Sequence, residues 1–379
     1  MKVLEHSPLG GSGAERFIAC PGSVGLGYGL CDEGPSGFAD EGTAAHSLLE
    51  HCLNNRVHAW ERIGMDFGGT KASRDMVDAV QICIDFVEKA FVDRNQSNFF
   101  VEKKFNSPRV HPLFRGTADV VYYGKEALHI LDYKHGVGVV VEATDNPQLM
   151  YYAAGVLDSL GGSPPKVILH IAQPRGFHYD GPIRSWETTP EAIIAWQNDI
   201  LVPAMNKAMT STETKTGEHC RFCPARSRNC PALMADIGEM ENLMKELEGR
   251  AAAALSNEQI ARLLTLKDTT AIALKAASST ALARMQTGAK IPGFALAPAK
   301  VNRVWKDEEK AEAEAKKAFG DRAFSKPELK SPAQVEKLPL GDTFVGKHAL
   351  KPEAGLTIVK EGDKRKTVAK DMQSMFKPV

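Results

Sequence analysis

The chain has 379 residues, 43% hydrophobic and 25% charged, and its 47 basic and 47 acidic side chains leave a formal net charge of +0. These are ordinary globular values that exclude a fibrous or wholly disordered chain, and no apolar run approaches the roughly eighteen residues of a membrane span. The neutral balance is no sign of nucleic-acid binding, although a local basic groove is compatible with it.

Residues 1 to about 40 are rich in Gly, Ser and Pro, with a short helical piece around Ala14 to Cys20. The spacing of Ala44, Ala45, Leu48, Leu49, Cys52 and Leu53 predicts a helix over 42–54 that also carries His46. A second helix is predicted from Arg74 to Asp93, with Val77, Val80, Ile84, Val87 and Phe91 on one stripe. Strands are predicted at about 99–105, 117–123 and 127–133, with Gly124-Lys125 as a short turn before the last. A helix opening near Gln148 runs to about Leu160, and Gly161-Gly162-Ser163-Pro164-Pro165 breaks the chain before a strand at 166–172. A further strand at 183–187 leads to a helix from Pro190 to about Met209, with Thr189 as its cap. Residues 235–290 read as strongly helical, with a capping box from Ser256 to Gln259 and Gly288 as a stop. Beyond 300, Lys alternates with Glu and Asp around a helical piece from Asp307 to Phe319. That region reads as a solvated, partly flexible tail or as an extension facing DNA or a partner.

Chemistry concentrates at the end of the third strand, in Ala127 to Gly136. Side chains alternate along a strand, so Asp132 and Lys134 project to one side, a carboxylate beside an ammonium. The preceding strand can bring Asp119 beside Asp132. Two carboxylates and a lysine on paired strands make a candidate site for metal-dependent phosphodiester cleavage.

In chain order the motifs are Gly42-x-x-x-His46, Gly116-x-x-Asp119, Asp132-x-Lys134 and Gln148-x-x-x-Tyr152. Their order and spacing resemble the RecB-like branch of the PD-(D/E)xK nuclease superfamily, with Asp132 where many members carry Glu. The resemblance implies an α/β fold with a restriction-endonuclease-like core, α-β-β-β-α-β, an order the periodicity supports separately. It implies Asp119 and Asp132 as ligands of one or two divalent ions, with His46 as a neutral nitrogen ligand and the Tyr133 carbonyl as a further one. Oxygen ligands suit Mg²⁺, and an imidazole makes Mn²⁺ a good substitute. Lys134 would orient or help deprotonate the attacking water. Gln148 and Tyr152, four apart and so on one helix face, would position the lysine or touch the DNA backbone. Glu102 is either an additional metal or supporting group or a solvated edge-strand glutamate.

Cys220, Cys223 and Cys230 cluster, while Cys20 lies far upstream behind Ser12 and Arg16 and before Pro21. This arrangement resembles iron–sulfur RecB-like nucleases, which implies Cys20, Cys220, Cys223 and Cys230 as ligands of a [4Fe–4S] cluster that staples the core. A Cys₄ zinc site is the physical alternative, although the distant Cys20 fits two close zinc pairs poorly. Cys31 is either a free thiol or a competitor of Cys20 as fourth ligand, while Cys52 and Cys83 fall on apolar helix faces as packing residues. An odd cysteine number and no signal peptide argue for reducing cytoplasm, that of a bacterial host if the chain is phage-encoded.

The stretches at 298–309 and 351–366 also resemble phage-borne iron–sulfur RecB-like proteins. The expected organisation is a nuclease core over 1–235, a helical accessory region over 236–299 and a charged extension over 300–379. The expected function is a metal-dependent DNA exonuclease of phage recombination or replication, with DNA and a phage single-strand-binding or annealing protein as partners. The alternatives are a non-catalytic DNA-binding or assembly protein keeping the fold, and a CRISPR-adaptation nuclease, to whose compact form the long C-terminal extension is foreign.

Overall fold

The structure is a computed structural model that describes residues 7–29, 37–95, 97–160, 164–227, 230–249, 254–295 and 317. The chain divides into two compact units, residues 1–299 and 300–379, and the elements below belong to the first. Cys31, the tail motifs and, apart from Lys317, the helical piece expected at 307–319 lie outside the described residues.

Two short helices, α1 (Ala14–Ala19) and α2 (Ser23–Gly27), precede α3 (Gly37–Asn55). The last begins five residues before the expected 42, starting at Gly37 and running through Gly42. A two-residue ribbon, β1 (Asp66–Phe67) and β2 (Thr70–Lys71), was too short for periodicity to register and turns through Gly68 and Gly69 at φ 65° and 91°. Then comes α4 (Arg74–Ala90), whose Ser73 side chain caps the Met76 amide at 3.2 Å.

The sheet follows: β3 (Phe99–Asn106), β4 (Arg115–Tyr123), β5 (Leu128–Tyr133), the crossover helix α5 (Pro147–Leu160), β6 (Val167–Ala172) and β7 (Ile183–Thr188). Strand order is β3-β4-β5-β6-β7. Only β5 and β6 run parallel, which is why a helix rather than a turn joins them. Leu128 and Ile130 of β5 pack with α5, while Leu131 and Tyr133 pack with α3 and α4, so the central strand is apolar on both faces. The result is a three-layer α/β/α unit.

After β7 come α6 (Pro190–Trp196), a π-turn over Gln197–Leu201 and α7 (Val202–Ala208). They occupy the single helix expected from Pro190; Pro203 has no amide to donate, and the wider turn precedes it. Finally, α8 (Pro231–Glu246) and α9 (Asn257–Gln286) pack through Leu243, Leu247 and Leu266. The capping box is formed: Ser256 Oγ accepts from the Gln259 amide at 3.3 Å and Gln259 Oε1 from the Ser256 amide at 3.0 Å. No helix among the described residues is long and apolar enough to cross a membrane.

Candidate active site

Register brings the acidic residues together. Val120 pairs with Leu131, so Asp119 stands opposite Asp132 one position on. On the other side, β3 pairs with β4 at Val101–Val120 and at Lys103–Ala118 but not between, which sets Glu102 across from Asp119. Glu102 has φ 51°, a left-handed backbone in mid-strand that costs a non-glycine residue about 1–2 kcal/mol. From the other layer α3 supplies His46. Ligand atoms of His46, Glu102 and Asp119 all lie within 4.8 Å of one another, the one such group of three or more among the described residues.

Contacts orient each of them. Asp119 Oδ2 accepts the Tyr133 amide at 2.7 Å and lies 3.4 Å from His46 Nδ1. The His46 ring meets the Tyr133 ring edge-on, with centroids 5.5 Å apart. Burial lowers the His46 pKa and keeps the imidazole neutral, the form that binds metal. Burial, then the Asp119 charge, pushes Glu102 up to about 7. Burial and the Asp132 charge likewise raise Asp119. Carboxylates so crowded call for a cation.

Asp132 stands beside this group but is held by others. Lys134 Nζ lies 2.8 Å from Asp132 Oδ2, while Asp132 Oδ1 accepts Gln148 Nε2 at 3.0 Å. Asp132 Oδ2 is buried, with the Lys134 ammonium as its ion-pair partner. Gln148 Oε1 accepts from Lys134 Nζ at 2.8 Å, and its Nε2 also contacts Tyr152 Oη at 2.9 Å. One glutamine in the first turn of α5 thus ties together Asp132, Lys134 and Tyr152. Burial would lower the Lys134 pKa, but the Asp132 and Asp119 carboxylates outweigh it and raise it. Lys134 is therefore a fixed cation at neutral pH.

A second network escaped the motif analysis. Arg175, just past β6, donates from Nη1 to Glu41 Oε1 at 2.9 Å and lies 2.6 Å from His135 Nε2. His135 Nδ1 meets Tyr133 Oη at 2.9 Å. This chain joins α3, which bears His46, to the end of β5, which bears Asp132 and Lys134. The available signal was positional: Gln173-Pro174-Arg175 follows the strand parallel to β5, and sites gather at the carboxyl ends of parallel strands.

The four expected cysteine ligands are all buried, with exposures of 4% for Cys20, 5% for Cys220, 7% for Cys223 and 8% for Cys230. Each of the other three acts electrostatically on the Cys220 thiol, which burial pushes up to about 11. The Lys215 amide donates to Cys20 Sγ at 3.3 Å, and the Gly22 amide to the Glu213 carbonyl at 2.8 Å. A Cβ on Gly22 would stand 2.7 Å from that carbonyl oxygen, so glycine permits the two loops to meet. Arg16 acts on Cys223, and its buried Nε has no hydrogen-bond partner. Cys52 and Cys83, 1% and 0% exposed, are core residues as expected.

The family described as "Protein of unknown function (DUF2800)" matches residues 6–366, and the chain belongs to it.

Proposed function

We propose that this DUF2800 protein is a metal-dependent deoxyribonuclease of the PD-(D/E)xK, RecB-like kind, stapled by a [4Fe–4S] cluster. The observation that carries the reading is the closed Asp132–Lys134–Gln148 network set against the His46–Glu102–Asp119 group. A structural ion pair has no need of a neutral imidazole and two further carboxylates beside it.

His46, Glu102 and Asp119 would hold Mg²⁺ or Mn²⁺, and the resemblance adds Asp132 and the Tyr133 carbonyl as further ligands. An ion bound there supplies Lewis-acid polarisation of the scissile phosphate and a more acidic water. Lys134, fixed as a cation, orients that water through its remaining N–H and balances charge growing on phosphate oxygens. Gln148 aims the ammonium, and Tyr152 holds Gln148.

The cysteine set suits the proposed cluster. Arg16 supplies cationic charge for an anionic cluster, and the Lys215 amide supplies a sulfur hydrogen bond. The assignment to phage recombination or replication, with exonucleolytic action, rests on the resemblance of the motifs and tail.

The test is cleavage of end-labelled linear and covalently closed circular DNA, with Mg²⁺ or Mn²⁺, by anaerobically purified wild type and Lys134→Ala. Metal-dependent loss of the linear form alone, absent in the variant, is the expected result. Cleavage by Lys134→Ala at the wild-type rate overturns the mechanism, and inactivity of both on every DNA form favours a binding or assembly role.

A further inference from the structure

Tyr133 touches two of the three members of the candidate metal group. Its amide donates to Asp119 Oδ2 at 2.7 Å, and its ring meets the His46 ring edge-on. That ring is wholly buried, yet its hydroxyl has a partner: His135 Nδ1 lies 2.9 Å away. His135, 5% exposed, has Arg175 Nη1 2.6 Å from its other ring nitrogen. A guanidinium only donates, so Nε2 accepts, Nδ1 carries the proton, and His135 donates to Tyr133 Oη.

The same Nη1 donates to Glu41 Oε1 at 2.9 Å. Glu41 precedes His46 by five residues on α3, about 7.5 Å along the axis, so this ion pair fixes the stretch of helix that carries the imidazole. His46 is thus held twice, by its helix through Glu41 and by its ring through Tyr133 and His135. Both clamps end on one nitrogen. The loop that presents this nitrogen is tied down in turn by Gln173, 1% exposed. Gln173 donates to the Gly136 carbonyl at 3.1 Å and the Val139 carbonyl at 2.7 Å, and accepts from Arg184 at 2.8 Å. Glu102 and Asp119 lie on paired strands whose register holds them together, whereas His46 comes from the helical layer and is the member that needs a clamp.

We propose that Arg175 is a positioning residue for the metal group: through both clamps it sets the His46 imidazole against Asp119 and Glu102, and with it the preference of the site for Mn²⁺ over Mg²⁺. The proposal rests on the metal-binding reading of that group. A nitrogen ligand suits Mn²⁺, whereas Mg²⁺ is a hard ion that takes oxygen. Displacing the imidazole therefore costs Mn²⁺ binding more than Mg²⁺ binding, while a general loosening of the fold weakens both alike. Groups that orient a metal-binding histidine from behind govern affinity by roughly 10–100-fold.

The test is Mn²⁺ binding to the anaerobically purified full chain without DNA, read from the electron paramagnetic resonance of the free ion, with Mg²⁺ measured by competition. The proteins are wild type, Glu41→Ala, Tyr133→Phe, Arg175→Ala, His46→Ala and the double variant Arg175→Ala/His46→Ala. Arg175→Ala is expected to bind Mn²⁺ roughly tenfold or more weakly, and Mg²⁺ by a smaller factor. Glu41→Ala and Tyr133→Phe each break one clamp and should fall between wild type and Arg175→Ala. The double variant should bind Mn²⁺ as His46→Ala does, because a residue acting through His46 then has nothing left to position. An equal loss for both ions in Arg175→Ala overturns the proposal, as does a double variant weaker than His46→Ala. If Arg175→Ala does not fold by circular dichroism, Glu41→Ala and Tyr133→Phe decide, and wild-type Mn²⁺ affinity in both overturns it. Wild type that binds no Mn²⁺ overturns the metal reading and the proposal with it. Binding that is weakened in His46→Ala but kept at the wild-type level in Arg175→Ala overturns the proposal alone.

Discussion

Gly155 sets how closely α5 approaches the sheet, and Gly155→Ala tests that packing. Seven residues separate it from Gln148, two helical turns, so both lie on the same side of α5. A Cβ on Gly155 would lie 2.5 Å from Phe105 Cζ and closer still to Cδ2 and Cε2. Ordinary carbon contact is about 3.5–4.0 Å, so ring and helix must part by more than about 1 Å. Phe105 cannot yield: it is 5% exposed and flanked by Phe114 and Tyr151, with ring centroids 5.5 and 5.9 Å away. Overpacking of this kind costs about 1–3 kcal/mol, against about 0.5–1 kcal/mol gained by replacing a helical glycine. A net loss of about 1–2 kcal/mol is expected in urea unfolding. Gly238→Ala is the matched control, because it lies in α8 with open space around its Cβ; it should be neutral or stabilising by up to about 1 kcal/mol. If α5 shifts by an ångström, Gln148 leaves Lys134 and Asp132, and DNA cleavage should fall roughly a hundredfold. Equal stability of the two alanine variants would refute this account of the packing.

Other perturbations separate the parts of the molecule. Cys223→Ser is expected to lose bound iron and visible absorbance and to unfold more readily, whereas Lys134→Ala retains both iron and colour; iron analysis and absorbance spectra check this. Arg175→Ala leaves buried His135 and partly exposed Glu41 without their shared donor and should cost about 1–3 kcal/mol in urea unfolding. Arg175→Lys should not restore it, since a single ammonium cannot reproduce the guanidinium fork. With chelator present, Glu102 binds its proton more tightly folded than unfolded, its pKa rising from 4.5 to about 7. Its contribution therefore favours the folded state below about pH 4.5 and is lost as pH rises through about 7. Urea unfolding between pH 4.5 and 8 should show this slope, flattened in Glu102→Gln.

Local pattern was enough for the long elements. The apolar stripe of α4, the apolar run of β5 and the Ser256–Gln259 box each carry their own pattern or cap, and each folds within a few residues of the expected place. Juxtaposition of Asp119 with Asp132 was also legible, because a short turn between antiparallel strands leaves little freedom of register. The ribbon at 66–71 and the π-turn at 197–201 were not, since two residues hold no period and helical periodicity does not distinguish an α-turn from a π-turn.

Glu102 shows where such reading stops and why. As an alternating residue of an edge strand it has a solvated fate open to it, and strand patterning alone cannot choose otherwise. Its left-handed backbone is a tertiary result: β3 pairs on either side of it but not at it, and Asp119 faces the gap. The same dependence governs Arg175, which is an unremarkable loop arginine until β6 lies parallel to β5 and α3 brings Glu41 across. Glu102 puts a strained backbone beside Asp119, and Arg175 puts a guanidinium on Glu41 and His135, just past the end of β5. A fold seeking stability alone gains nothing from a strained glutamate that must take up a proton near neutrality. A divalent ion at His46, Glu102 and Asp119 would offset that strain by binding the folded state and displacing the proton.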